Sequence, residues 1–102
     1  MQSFKLKKIN QNHKNILYKW HNLKSVLKNS LKGKKFTMKE HTKWFSKQLH
    51  SKNIIRIIYI RNKPIGIIRL EKKTSDYLIS YMIAPKYRGR GIAYTAIKKL
   101  LS

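Results

Sequence analysis

Tyr81-Met82-Ile83-Ala84-Pro85-Lys86-Tyr87-Arg88-Gly89-Arg90-Gly91-Ile92-Ala93 is the stretch on which the fold turns. Residues 77–83, which lead into it, are β-branched and aromatic and read as a strand. After it, Ile92, Ala93, Ala96, Ile97, Leu100 and Leu101 recur at helical spacing. The proline and two glycines between them therefore sit where a strand hands over to a helix. A helix start leaves about four amide groups without intrahelical partners and carries roughly half a positive charge. Gly89 and Gly91 lack a Cβ, so an anion can approach the backbone closely, and consecutive amides in such a turn form an anion nest. Arg88 and Arg90 add charge and donors. The ligand this combination predicts is a phosphate or pyrophosphate; the alternative is a tight turn that merely needs glycines. Two rival motifs fail on spacing. The mononucleotide P-loop needs a Gly-Lys-Ser/Thr ending, and the dinucleotide fingerprint needs a third glycine in a parallel βαβ unit.

Working backward, residues 54–60 form a second β-branched run, and residues 65–70 a third, joined by a turn at Arg61-Asn62-Lys63-Pro64. Another turn over residues 72–76 leads to the strand at 77–83. These runs are apolar on both faces, which predicts a sheet covered by helices. Thr37-Met38-Lys39-Glu40 is a capping box that starts a helix reaching about His50, with Met38, His41, Trp44, Phe45 and Leu49 on its apolar face. Asn12 or Asn15 caps an earlier helix through Ile16, Leu17 and Trp20, extending toward Leu23, Val26 and Leu27. Phe4, Leu6 and Ile9 suggest a short first strand, and Gly33 with its lysines a loop. The predicted order is β-α-α-β-β-β-loop-α, a mixed α/β (α+β) domain of mostly antiparallel sheet flanked by helices, with residues 1–102 as one domain.

The chain carries 25 Lys and Arg against 3 Asp and Glu, a formal net charge of +22. That charge suits an anionic partner, but the lysines are scattered rather than clustered with exposed aromatics. The composition thus points to biased residue usage more than to a dedicated nucleic-acid site. The absence of cysteine excludes disulfides, a thiolate nucleophile and a cysteine zinc site. No metal site is expected. With no apolar run near 18 residues and no signal-peptide h-region, a cytoplasmic protein without membrane contact is expected.

Arg88-x-x-Gly91-x-Ala93, preceded by strand and proline, resembles the acetyl-CoA signature of the GNAT superfamily of N-acetyltransferases, Gln/Arg-x-x-Gly-x-Gly/Ala. The order of elements before it is also similar to that family, so the resemblance covers essentially the whole chain. It implies the acyl-CoA N-acyltransferase fold with acetyl-CoA as co-substrate. Backbone amides of Arg88, Gly89, Arg90, Gly91, Ile92 and Ala93 would hold the CoA pyrophosphate. The main chain of Met82, Ile83 and Ala84 would pair with pantetheine like an added strand. An amine would attack the thioester directly.

Glu40-His41-x-x-Trp44-Phe45, with Asn62-Lys63-Pro64-Ile65-Gly66-Ile67-Ile68-Arg69, resembles the branch acting on UDP-4-amino sugars of the pseudaminic acid type. Protein N-terminal acetyltransferases of ribosomal proteins share parts of this pattern and are the alternative. His41, Trp44 and Tyr81 are candidate substrate contacts, each with core packing as the competing role. Glu71, at a strand end, is the best-placed carboxylate for a general base; in relatives a tyrosine beyond this helix often protonates the leaving thiolate, and if these residues act alone Tyr81 is the candidate donor. Relatives continue past this helix with a strand, a helix and a last strand. The resemblance therefore predicts a C-terminally truncated chain with slow turnover and an exposed edge at residues 77–83, completed by a homo-oligomer or a complementary chain. From other classes, a basic nucleic-acid-binding module or a non-catalytic CoA-binding remnant stands against the enzyme.

Overall fold

Alternating and continuous isoleucines at Ile54–Ile60 build a strand, β2, that lies inside a four-stranded sheet. The computed structural model describes residues 4–28 and 34–102, so the loop expected at Gly33 lies outside the described residues. The sheet runs β1 (Phe4–Lys8), β2, β3 (Lys63–Lys72), β4 (Tyr77–Ile83) in spatial order, and every pairing is antiparallel. The described residues gather into two compact units, one holding the sheet and the C-terminal helix, the other residues 10–51.

In the sheet unit, helix α4 (Ile92–Leu101) meets one sheet face through Ile92, Ala93, Ala96, Ile97 and Leu100. Opposite them are Ile58, Ile60, Ile65, Ile68 and Ile83, with Phe4 and Leu6 from β1. Each fully buried isoleucine contributes roughly 1.5–3 kcal/mol of transfer free energy. Leu101 falls outside this face and stays exposed. Lys99 extends back to donate to the Phe4 carbonyl at 3.3 Å, tying α4 to β1.

The hairpin turn is tighter than the sequence suggests. Only Arg61 and Asn62 lie outside the strands, with Arg61 at a left-handed φ of 57°. Lys63 and Pro64 belong to β3. Proline has no N–H for the ladder, and the register shifts between Ile58 and Tyr59, so that Tyr59 faces Pro64 while Ile58 faces Gly66. The bulge absorbs the missing donor. Gly66 is required by close approach: a Cβ there would lie 2.6 Å from the Met82 carbonyl oxygen and 2.9 Å from Ile83 Cδ1.

β4 departs from the expectation of a covered sheet. Tyr77, Leu78, Ile79 and Tyr81 are all exposed, because β4 is the outermost strand and, among the described residues, pairs only with β3.

In the second unit, the capping box forms as its residue types require. The Glu40 amide donates to Thr37 Oγ1 at 3.1 Å, and the Thr37 amide to Glu40 Oε1 at 2.9 Å. Helix α3 then runs Met38–Leu49. Its buried stripe is His41, Phe45 and Gln48; Met38, in the first turn, is exposed. The earlier helix differs from expectation at both ends. Asn10, rather than Asn12 or Asn15, caps a 3₁₀ turn at Gln11–His13 that feeds α1 (Lys14–His21). The continuation breaks into a separate short helix α2 (Lys24–Leu27). Asn22 causes the break: its side chain donates to the Phe36 carbonyl at 3.1 Å and accepts from the Phe36 amide at 2.7 Å. This long-range clamp replaces the next helical turn.

Candidate functional site

The strand-to-helix connection is built from three consecutive backbone devices. The Ala84 amide donates to the Ile65 carbonyl at 2.8 Å, closing the β3–β4 ladder. Pro85, with its φ preset, opens a 3₁₀ turn Pro85–Tyr87 in which the Arg88 amide reaches the Pro85 carbonyl at 3.2 Å. Gly89 and Gly91 then adopt φ of 77° and 69°, a region that costs other residues about 1–2 kcal/mol. A Cβ at either glycine would meet nothing within 4 Å. The backbone conformation therefore favours glycine, and no atom occupies the place of a Cβ at either residue.

The first helical hydrogen bond of α4 runs from the Thr95 amide to the Gly91 carbonyl at 3.1 Å, reinforced by the Thr95 hydroxyl at 3.0 Å. Amides 92–94 precede that bond and have no intrahelical acceptor. The first turn contains no acidic side chain, and no side chain caps it. The Arg88 amide, by contrast, is engaged inside the 3₁₀ turn, so the open amides start at Gly89. Arg88 still contributes its guanidinium, aimed by an Nε bond of 2.8 Å to the Ile83 carbonyl. Arg90 stacks on the Tyr87 ring at 5.5 Å, with Lys86 6.0 Å from the same ring. An open, cationic, amide-lined turn of this kind can hold a phosphate or pyrophosphate.

Register decides what β4 offers beside the turn. Because the Ala84 amide points at β3, the period of two turns the main chain of Met82 and Ser80 the same way. The amides and carbonyls of Tyr81 and Ile79 point to the free edge, as does the Ile83 amide. Of Met82, Ile83 and Ala84, only Ile83 faces outward, and Tyr81 joins it.

Tyr81 lies opposite Ile68, and its ring is exposed. Glu71 lies opposite Leu78, three residues away along β4, which puts its side chain on the other face of the sheet from Tyr81. Its carboxylate is held by Arg69 at 3.2 Å and Lys73 at 3.4 Å. The two candidate catalytic groups do not converge.

His41 is 1% exposed. Its Nε2 lies 2.8 Å from the Lys14 carbonyl and so acts as donor there, leaving Nδ1 buried without a partner. Burial pushes its pKa below the usual histidine value, with the Lys14 carbonyl bond opposing and the Lys14 charge adding to the shift. The ring stacks on Trp44 at 5.7 Å. Trp44 is half-buried and also meets the His21 ring edge-on at 4.3 Å. Tyr18 lies 5.3 Å from His41. His21 and Tyr18 were not singled out from sequence, since their contacts join α1 to α3 and leave no periodic signal. The described residues contain no His, Asp or Glu group able to hold a metal, and no helix long and apolar enough to cross a membrane.

An antiparallel sheet whose last described strand passes through a glycine turn into an uncapped helix N-terminus places an anion-binding turn at the end of a strand. The chain belongs to the GNAT acetyltransferases: the acetyltransferase (GNAT) domain family matches residues 4–102. An acetyltransferase from Thermus thermophilus shares its fold with TM-score 0.80 and 14% identity, over 99% of this chain and 70% of that one. The aminoglycoside acetyltransferase AAC(6')-Ib in complex with coenzyme A aligns with TM-score 0.76 and 16% identity, over 97% and 65%. The ribosomal alpha-N-protein acetyltransferase RimL, also with coenzyme A, aligns with TM-score 0.79 and 16% identity, over 99% and 63%. This chain thus spans about two thirds of the length of those structures. No protein of curated function matches the sequence.

Proposed function

We propose that this chain transfers the acetyl group of acetyl-CoA to a primary amine, the 4-amino group of a UDP-linked amino sugar. The observation that carries the reading is the turn at Gly89 and Gly91. Two left-handed glycines stand at an uncapped helix N-terminus with open space where each Cβ would be, flanked by Arg88 and Arg90. In this reading those groups hold the CoA pyrophosphate. The outward main chain of Ile83 and Tyr81 pairs with pantetheine as an added strand. The amine forms a C–N bond to the acetyl carbonyl, the C–S bond breaks, the amine loses a proton and the sulfur gains one. Tyr81 is the proton donor. Glu71, on the other sheet face, enters only as a base acting through water. Within residues 10–51, half-buried Trp44, with buried His41 stacked on it, is the candidate sugar contact. The Glu40-His41-x-x-Trp44-Phe45 pattern supports the sugar acceptor. The fold likeness to RimL favours a protein N-terminal amine as the second reading.

Thermal stability with and without acetyl-CoA tests the turn. A ligand at about 100 times its Kd adds roughly 2.7 kcal/mol. Gly91→Asn keeps the left-handed backbone accessible while filling the open approach, so it folds and loses most of the shift. An undiminished shift in Gly91→Asn makes the loop an ordinary turn. No shift for the unaltered chain, with a clear one for short RNA, replaces the enzyme by a nucleic-acid module. Product analysis with a UDP-4-amino sugar against an N-terminal peptide then separates the two acceptors.

A further inference from the structure

Histidine is confined to one of the two units. His13, His21, His41 and His50 all fall within residues 10–51, and residues 1–9 and 52–102 contain none. Histidine is the side chain whose ordinary pKa lies between pH 5 and 8, and carboxylates ordinarily titrate about two units lower. A fall from pH 7.5 to 5.5 therefore acts on the side chains of one unit. Two of its histidines are held without a proton on Nδ1. The Asn10 amide donates to His13 Nδ1 at 3.0 Å, and His13 is 3% exposed. His41 donates from Nε2 to the Lys14 carbonyl at 2.8 Å and keeps Nδ1 buried with no partner. His50 is the opposite case: its Nδ1 lies 2.8 Å from the Ser46 carbonyl and donates to it, a bond that the charged ring keeps.

We propose that residues 10–51 form an acid-released element, in which protonation of His41 and His13 separates α1 from α3 while the sheet and α4 keep their structure. A proton added at His13 Nδ1 sets one N–H against another. A proton added at His41 Nδ1 makes a buried donor without an acceptor, on a ring that has become a cation. The described groups around His41 supply no carboxylate: Lys14, Tyr18 and His21 stand on α1, Trp44 and Phe45 on its own helix. Glu40, the one acidic residue between 10 and 51, holds its carboxylate on the Thr37 amide at 2.9 Å. Burial is the largest cause keeping the His41 pKa below 6.5. As pH falls, the folded ring thus takes up its proton later than the ring of the opened chain. The stabilisation is complete above about pH 6.5 and is lost progressively below it. The release rests on residues 10–51 alone. One consequence rests on the proposed acetyl transfer: Trp44 stacks on His41, so acid removes the acceptor contact and leaves the turn at Gly89 and Gly91, in the other unit, able to take acetyl-CoA.

Amide hydrogen exchange of the whole chain, expressed as protection factors at about pH 7.5 and pH 5.5, tests the release without any substrate. Protection at Trp20 in α1 and at Phe45 and Gln48 in α3 falls about tenfold for each histidine that takes up its proton only on opening. Ile57 and Ile68, in the two inner strands, keep theirs. His41→Gln retains a donor for the Lys14 carbonyl and cannot titrate, so it removes the His41 share of the fall. Should that variant not fold, the imidazole resonances of the unaltered chain decide the matter. His41 stays neutral below pH 6.5, protonated at Nε2 alone, and becomes charged only as α1 and α3 lose protection. An equal loss of protection in the sheet makes the transition global and overturns the separate element. Unchanged protection in α1 and α3, or a charged His41 ring with both helices still protected, overturns the switch.

Discussion

β1 and β4 close the same sheet with opposite chemistry. β1 has five residues, and Lys5, Lys7 and Lys8 stand exposed along it while Phe4 and Leu6 turn to the α4 side. Lys7 lies over the Tyr59 ring at 4.4 Å, covering the neighbouring strand with its stem and its charge. β4 has seven residues and no charge. Short edges carrying lysine resist pairing with other chains; long uncharged ones invite it. The contrast teaches that the lysine excess is not uniform. It lies along β1 and is absent from β4, the strand that leads into the glycine turn.

The largest effect that probes this contrast lies between the edges. Ile57, fully buried on β2, loses about 2–5 kcal/mol as alanine, whereas Ile79→Ala on the β4 edge stays within about 1 kcal/mol, by chemical denaturation. Equal losses mean that β4 is covered in solution. Next, Gly66→Ala drives a Cβ into the Met82 carbonyl and Ile83. It costs about 1–3 kcal/mol and loosens β4 alone: hydrogen exchange speeds at Met82 and Ala84 and is unchanged in β1. Uniform acceleration breaks the picture of independent edges. Smallest in free energy, within about 0.5 kcal/mol, is the double change Lys5→Ile and Lys7→Val. It makes β1 resemble β4, and light scattering then rises with concentration. Unchanged scattering removes the guarding role from these lysines.

Much of this was legible in residue order because the governing rules act over a few residues. The Thr37/Glu40 box, the β-branched strands, the helix after Gly91 and the glycine turn all follow from period, cap chemistry and the need for positive φ. Tertiary structure decided what depends on partners far along the chain. The Asn22–Phe36 clamp split the first helix, fourteen residues from its partner. Pro64 entered a strand because a bulge opposite Tyr59 could absorb its missing donor. Cross-strand register, set by Gly66 against Ile83, turned Tyr81 and Ile83 outward, engaged Met82 and Ala84, and separated Glu71 from Tyr81 across the sheet. A strand's sequence carries its alternation but not which parity faces a neighbour, since that is fixed only when the neighbour's hydrogen bonds are made.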